Sequence, residues 1–153
     1  FALEGAPGLI DGRQDMAERP ELTLVSLHPN GRAALAPAGI TAEFPRVAPD
    51  IAGLPRRHTV FVGGYGSDRP FARTVGVWDW EAGRADSFDF GARQLVEEFV
   101  PTGHYLVGTT LNLAAQATEL HILDVRRMAD GPVASWRSGV ALPLSFHGSW
   151  VNV

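Results

Sequence analysis

The sequence predicts an all-β protein. Short β-rich runs recur at roughly ten-residue spacing, Gly, Pro and Asp punctuate them, and no segment carries the period of a long amphipathic helix. Strands of this kind build a sandwich, a barrel or a propeller, and periodicity alone does not choose among the three.

The elements follow in order. Residues 22–27 and 32–35 read as paired strands, because Pro29-Asn30-Gly31 between them is a hairpin-type turn. Residues 58–63, rich in Val and Phe, form the next strand, stopped by Gly63-Gly64-Tyr65-Gly66. The clearest hairpin joins residues 74–80 to 84–90 through Glu81-Ala82-Gly83, whose glycine can take the left-handed conformation that such a connection needs. Residues 104–111 and 119–125 are two more strands, joined by the small and polar residues 112–118. Residues 126–130 predict one helical turn, ended by Gly131-Pro132, and residues 132–137 a last strand. Residues 1–20 read as a loop or entry segment.

Composition narrows the functional classes. With 45% hydrophobic and 20% charged residues, the chain belongs with folded rather than disordered sequences. A net charge of -4 and scattered arginines give no footprint for nucleic acid. No apolar run reaches the roughly 18 residues needed to span a bilayer, so peripheral contact is the membrane role that remains. The absence of cysteine excludes disulfides, thiolate zinc sites and cysteine nucleophiles, so any metal must be held by nitrogen or oxygen. It also fits a reducing, cytoplasmic setting. Oligomeric state is not written in the sequence.

Five histidines are the natural metal candidates. His28 precedes Pro29 in a turn, His58 follows two arginines and His104 follows Gly103, and all three read as exposed loop or strand-start residues. His121 alternates with Leu120 and Ile122, so it is expected to point away from them toward the surface or a strand edge. His147 differs. The apolar residues 142–146 lead into it as a strand, and Gly148 follows at once, where backbone can approach closely. Taken alone, such a histidine is more often a hydrogen-bonded core residue than a ligand.

Three segments change that weighting. The first is Glu43-Phe44-Pro45-Arg46-Val47, followed by Gly53 and Arg56-Arg57-His58. The second is Val96-Glu97-Glu98-Phe99-Val100-Pro101, continuing through Tyr105-Leu106-Val107-Gly108 to residues 119–125. The third runs from Gly131-Pro132-Val133-Ala134 to Ser145-Phe146-His147-Gly148-Ser149-Trp150. In order and spacing they resemble the carotenoid cleavage oxygenase family, which includes the lignostilbene dioxygenases and the retinoid isomerase of the retinal pigment epithelium. The resemblance covers most of residues 42–150.

That resemblance implies a seven-bladed β-propeller, with residues 1–153 as the C-terminal blades of a single domain that is incomplete in this chain. It also implies a ferrous ion, Fe(2+), held on the propeller axis by four histidines, three of them hydrogen-bonded to glutamates. His147 matches the last ligand. Glu43 matches one supporting glutamate and Glu98 most nearly matches another, with Glu97 as the competing choice because this chain is two residues shorter before Phe-Val-Pro. A carboxylate accepting the far ring N–H fixes the tautomer and orients the ring. The implied reaction uses O2 as co-substrate to split a C=C bond of an apolar conjugated substrate, a carotenoid, apocarotenoid or stilbene, into two carbonyl products.

The family's other three ligands lie upstream of the Glu-Phe-Pro segment. The chain is therefore expected to be the C-terminal portion of a protein roughly three times as long, and not to hold catalytic iron in isolation. A competing expectation is a truncated, non-catalytic β-propeller module serving as scaffold or binding surface. A third, a metal-independent lyase or hydrolase using Glu97, Glu98 and His104, is disfavoured because adjacent residues of a regular strand point to opposite faces.

Overall fold

The computed structural model describes residues 20–49, 53–54, 56–65, 71–145 and 147–151. The entry segment over residues 1–19, Gly66 and Phe146 lie outside them. Among the described residues nine strands follow in chain order: β1 (Glu21–Leu27), β2 (Ala33–Arg46), β3 (His58–Gly63), β4 (Thr74–Asp79), β5 (Arg84–Asp89), β6 (Gln94–Thr102), β7 (Tyr105–Asn112), β8 (Ala117–Asp124) and β9 (Pro132–Arg137). The helical turn expected at residues 126–130 is a 3-10 turn at Met128–Asp130. Among the described residues no helix is long and apolar enough to cross a membrane.

The turn chemistry works as read. In the first hairpin the His28 N–H donates to the Arg32 carbonyl at 2.9 Å and the Gly31 N–H to the His28 carbonyl at 3.0 Å. At the β4–β5 connection Asp79 Oδ1 accepts from the N–H groups of Glu81 and Ala82, both at 3.0 Å, and Gly83 takes φ +62° to complete the turn. Asp79 is also gripped by the Arg57 guanidinium, and these bonds hold its carboxyl well below the usual carboxylate range. Asn112 Oδ1 accepts from Ala114 and Ala115 N–H, so the link between β7 and β8 is shorter than the sequence suggested.

Two strands depart from expectation. β2 does not stop at Leu35 but continues to Arg46. Pro37 and Gly39 interrupt its pattern, and the chain absorbs them in an irregularity. β2 advances from Pro37 to Thr41 while β1 moves only from Thr23 to Glu21, and Glu21 Oε1 accepts the Gly39 N–H at 2.9 Å. β6, left out of the strands read from local pattern although Glu97 and Glu98 were read as strand residues, pairs with β7 along its length. Its sequence lacks a two-residue alternation, and residues 95–101 are all buried.

Every pairing is antiparallel, and the sheet orders are β1-β2-β3-β4-β5 and β6-β7-β8-β9. β2 changes partner midway. Residues up to Thr41 pair with β1, and residues from Ala42 onward pair with β3. The C-terminal part of β2 with β3–β5 is thus one four-stranded meander, β6–β9 is a second, and β1 with the first part of β2 is a hairpin extending the former. Four-stranded antiparallel meanders are the units of a propeller.

One core joins the two meanders: Val60, Val62, Ala72 and Val75 from the first pack with Val96, Phe99, Leu106, Leu123 and Met128 from the second, and Phe44, Phe88 and Phe90 close around them. The Val96 N–H donates to the Ala72 carbonyl at 2.8 Å and stitches the two together. Each meander also lays a phenylalanine ring over a cross-strand glycine. Phe61 covers Gly76, its registered partner, and Phe99 covers Gly108. A Cβ at Gly108 would stand 2.5 Å from the Phe99 ring. Gly108→Ala is therefore expected to lower stability by about 1–3 kcal/mol through overpacking, read as a lower urea midpoint with unchanged slope.

Candidate functional site

The site is built by two β-bulges. On β6, Val96 stands opposite Thr110 and Phe99 opposite Gly108, so Glu97 and Glu98 together face the single residue Thr109. A regular strand would send these side chains to opposite faces, as the sequence reading assumed. The extra residue sets that alternation aside, and both carboxylates engage the same C-terminal stretch. On β2, Glu43 pairs with Val62 and Arg46 with Val60, leaving one residue too many between them, and Phe44 takes φ +50° to accommodate it. The Glu-Phe-Pro motif is thus a bulge, aimed at the same stretch.

Among the described residues around His147, 142–145 and 147–148, none lies in a strand, contrary to the apolar strand expected before His147. They are held by side chains instead. Glu97 Oε1 accepts the Ser145 N–H at 2.9 Å, and its Oε2 accepts the Ser145 hydroxyl at 3.2 Å and that of Thr109. Glu98 Oε2 accepts the Gly148 N–H at 2.7 Å, while its Oε1 lies 3.4 Å from Arg46 Nη1 and 3.6 Å from His147 Nδ1. Arg46 Nη2 donates to the Gly148 carbonyl at 2.8 Å. Phe44 presents its ring edge-on to the His147 imidazole, with centroids 6.1 Å apart.

Of the two adjacent glutamates, Glu98 is the one beside the imidazole. Its side chain is 3% exposed and that of His147 is 74% exposed, so a buried carboxylate faces Nδ1 and leaves Nε2 on the open side of the ring. Glu97 serves Ser145. Glu43, half-buried, accepts the Tyr65 hydroxyl at 2.7 Å. Among the described residues no group of three or more His, Asp or Glu is arranged to hold a metal ion. This stretch offers a metal a single imidazole, that of His147.

His28, His58 and His104 are exposed, as read from the sequence. His104 lies in the turn between β6 and β7, while Glu97 and Glu98 are spent on the C-terminal stretch, so the three form no acid–base centre.

His121 corrects the sequence reading. It is 6% exposed and lies between the two meanders, its ring tilted against that of Phe90 with centroids 4.8 Å apart. Its Nε2 is 3.0 Å from the Thr110 hydroxyl and 3.6 Å from Glu119 Oε2, and its Nδ1 is 2.7 Å from the Ser135 hydroxyl. Glu119 in turn accepts from Gln94 and Asn112, each at 3.1 Å, and from Arg137 Nε at 2.7 Å. The overlooked signal was cross-strand. Thr110 and Asn112 alternate on β7 as Glu119 and His121 do on β8, and Thr110 pairs with Glu119, so the inner face carries a polar network rather than a continuous apolar one.

Burial pushes His121 below its ordinary pKa, only partly opposed by Glu119. Burial alone would raise Glu119, but hydrogen bonds from Arg137, Asn112 and Gln94 outweigh it and leave that carboxyl lowered.

A model of the family described as retinal pigment epithelial membrane protein (RPE65) matches residues 7–152. The lignostilbene-alpha,beta-dioxygenase isozyme III of Sphingomonas paucimobilis is 28% identical, over 72% of this chain and 26% of that protein. Among solved structures, cobalt-substituted apocarotenoid oxygenase of Synechocystis matches with TM-score 0.79 at 21% identity, over 89% of this chain and 31% of that one. A chimera of apocarotenoid oxygenase and RPE65 matches with TM-score 0.78 at 20% identity, over 88% and 31%. These likenesses establish an all-β fold matching β-propeller structures. The chain spans less than a third of the length of the relatives it matches.

The buried histidine generates a pH dependence. Because the folded pKa of His121 lies below the ordinary 6.5, the unfolded chain binds more protons beneath that pH. Its stabilising contribution is complete above pH 6.5 and is lost as pH falls through the folded value. The lowered carboxyls of Asp79, Asp124 and Glu119 add their own loss only below their ordinary values of 3.8 and 4.5. Urea midpoints should thus decline from pH 7.5 to 5, and His121→Gln should flatten that decline.

Proposed function

This chain belongs to the carotenoid cleavage oxygenase family, and from that premise we propose that it is the C-terminal part of a non-haem Fe(2+) dioxygenase. The full-length enzyme would cleave a C=C bond of a carotenoid, apocarotenoid or stilbene-like substrate to two carbonyl products, with O2 as co-substrate. His147 supplies one of four histidine ligands, and parts of the protein that this chain does not span supply the other three. The carrying observation is the arrangement at residues 145–148: an imidazole open on its Nε2 side, facing a buried glutamate with Nδ1, on a backbone anchored on both flanks.

The contribution of these residues is positional. Glu98, with Oε1 3.6 Å from Nδ1, stands where a carboxylate supports a metal-ligating imidazole from the nitrogen that does not bind the metal. Phe44 makes a T-shaped ring contact with the imidazole. Glu43, beside Phe44 in the β2 bulge, holds the Tyr65 hydroxyl, and we assign it the same supporting role toward a histidine outside this chain. Iron, when bound, supplies the dioxygen chemistry. Taken alone, the chain is proposed to be inactive. The membrane role assigned is peripheral contact during uptake of an apolar substrate, and the setting assigned is the cytoplasm.

His147→Ala in the full-length protein should abolish bound iron and oxygen-dependent alkene cleavage while leaving the unfolding midpoint of the metal-free protein near wild type. Metal analysis and product chromatography check this. Full iron occupancy in that variant removes His147 from the site, and a metal-free wild type favours the scaffold reading. Glu43→Gln should lower metal affinity about 10–100-fold, with a much smaller effect on stability. An unchanged affinity marks Glu43 as a partner of Tyr65 alone.

A further inference from the structure

We infer that Arg46 is a positioning residue for the His147 imidazole, acting through the backbone of Gly148. This takes His147 as a ligand, as proposed above. The imidazole is largely exposed and its neighbouring ring is the Phe44 edge, so tight packing does not orient it. Orientation must come from the peptide units on either side.

The unit that follows His147 is fixed by a set of polar contacts. The Gly148 N–H, which belongs to the peptide unit following His147, goes to Glu98 Oε2 at 2.7 Å, and the Gly148 carbonyl takes Arg46 Nη2 at 2.8 Å. The other end of the guanidinium, Nη1, stands 3.4 Å from Glu98 Oε1. One arginine therefore ties together the carboxylate that faces Nδ1 and the residue after the histidine. Residue 148 must be small, since a Cβ there would lie 3.3 Å from Val100 Cγ2, but glycine is also the residue whose backbone is freest to swing. The Arg46–Glu98 frame restrains that freedom. On the other flank Glu97 anchors Ser145, so His147 is held between two fixed points.

The chemistry asks for arginine in particular. A planar guanidinium reaches two acceptors in fixed directions, whereas a lysine ammonium offers a point charge on a flexible stem. The bulge at Glu43–Arg46 brings this fork to Gly148, and the same irregularity brings Phe44 to the imidazole.

The test uses the full-length protein loaded with Co2+ in place of iron. Arg46→Gln and Arg46→Lys are compared with wild type for the visible absorption of bound Co2+, the rate of Co2+ release to a chelator, and the unfolding midpoint of the metal-free protein. We expect release to accelerate about 10–100-fold with an altered spectrum in Arg46→Gln, and Arg46→Lys to restore neither. A wild-type spectrum and release rate in either variant overturns the inference, including the case in which only the unfolding midpoint falls. If Arg46→Gln does not fold, Arg46→Lys decides by the same two readouts. Equal Co2+ retention by wild type and His147→Ala is a separate result: it removes the ligand reading, and the role of Arg46 with it.

Discussion

A β-strand sends successive side chains to alternate faces, and the arrangement around His147 depends on two places where one additional residue breaks that alternation. On β6 the break lets two adjacent carboxylates serve the same backbone stretch. On β2 it lets Phe44 and Arg46 reach that stretch from the other meander. Without the β6 irregularity, one of the two carboxylates would face away. The stretch itself has no ladder of its own, so its conformation is borrowed from these side chains.

The core is arranged around the same irregularities. Phe99 follows the β6 bulge directly, and its ring lies over Gly108, where a side chain would not fit. Buried Glu97 and Glu98 are tolerated because every close contact supplies a donor, from serine, threonine, arginine or backbone N–H. Burial of unpaired carboxylates would cost far more. The inter-meander surface shows the same economy at Glu119 and His121, where five polar side chains, Gln94, Thr110, Asn112, Ser135 and Arg137, satisfy two titratable groups.

Much of the fold was legible because turns have local chemistry. Pro29-Asn30-Gly31, Glu81-Ala82-Gly83 and Gly131-Pro132 each mark their connection in the sequence, and strands follow on either side. β6 was illegible because burial on both faces and a bulge remove the period-two signal. The full length of β2 was hidden by Pro37 and Gly39, which a backbone irregularity and the Glu21 side chain absorb. His121 was misplaced because its apolar neighbours were weighed along one strand, whereas its partners lie on the strands beside it. For Glu97 and Glu98, sequence spacing could not separate the pair. Only the contacts made from the bulge opposite Thr109 show which carboxylate meets Ser145 and which meets His147.

The change of partner within β2 separates two tasks that one strand would otherwise share. From Ala42 onward the strand is locked to β3, and that lock sets the placement of Phe44 and Arg46. Before Ala42 it pairs with β1, in a hairpin that ends at His28–Arg32 and whose base packs through Leu22, Ala38 and Ile40 against Phe61 and Trp78. The hairpin tip and the bulge at residues 43–46 are therefore held by different partners, and a change at the tip leaves the lock on β3 in place.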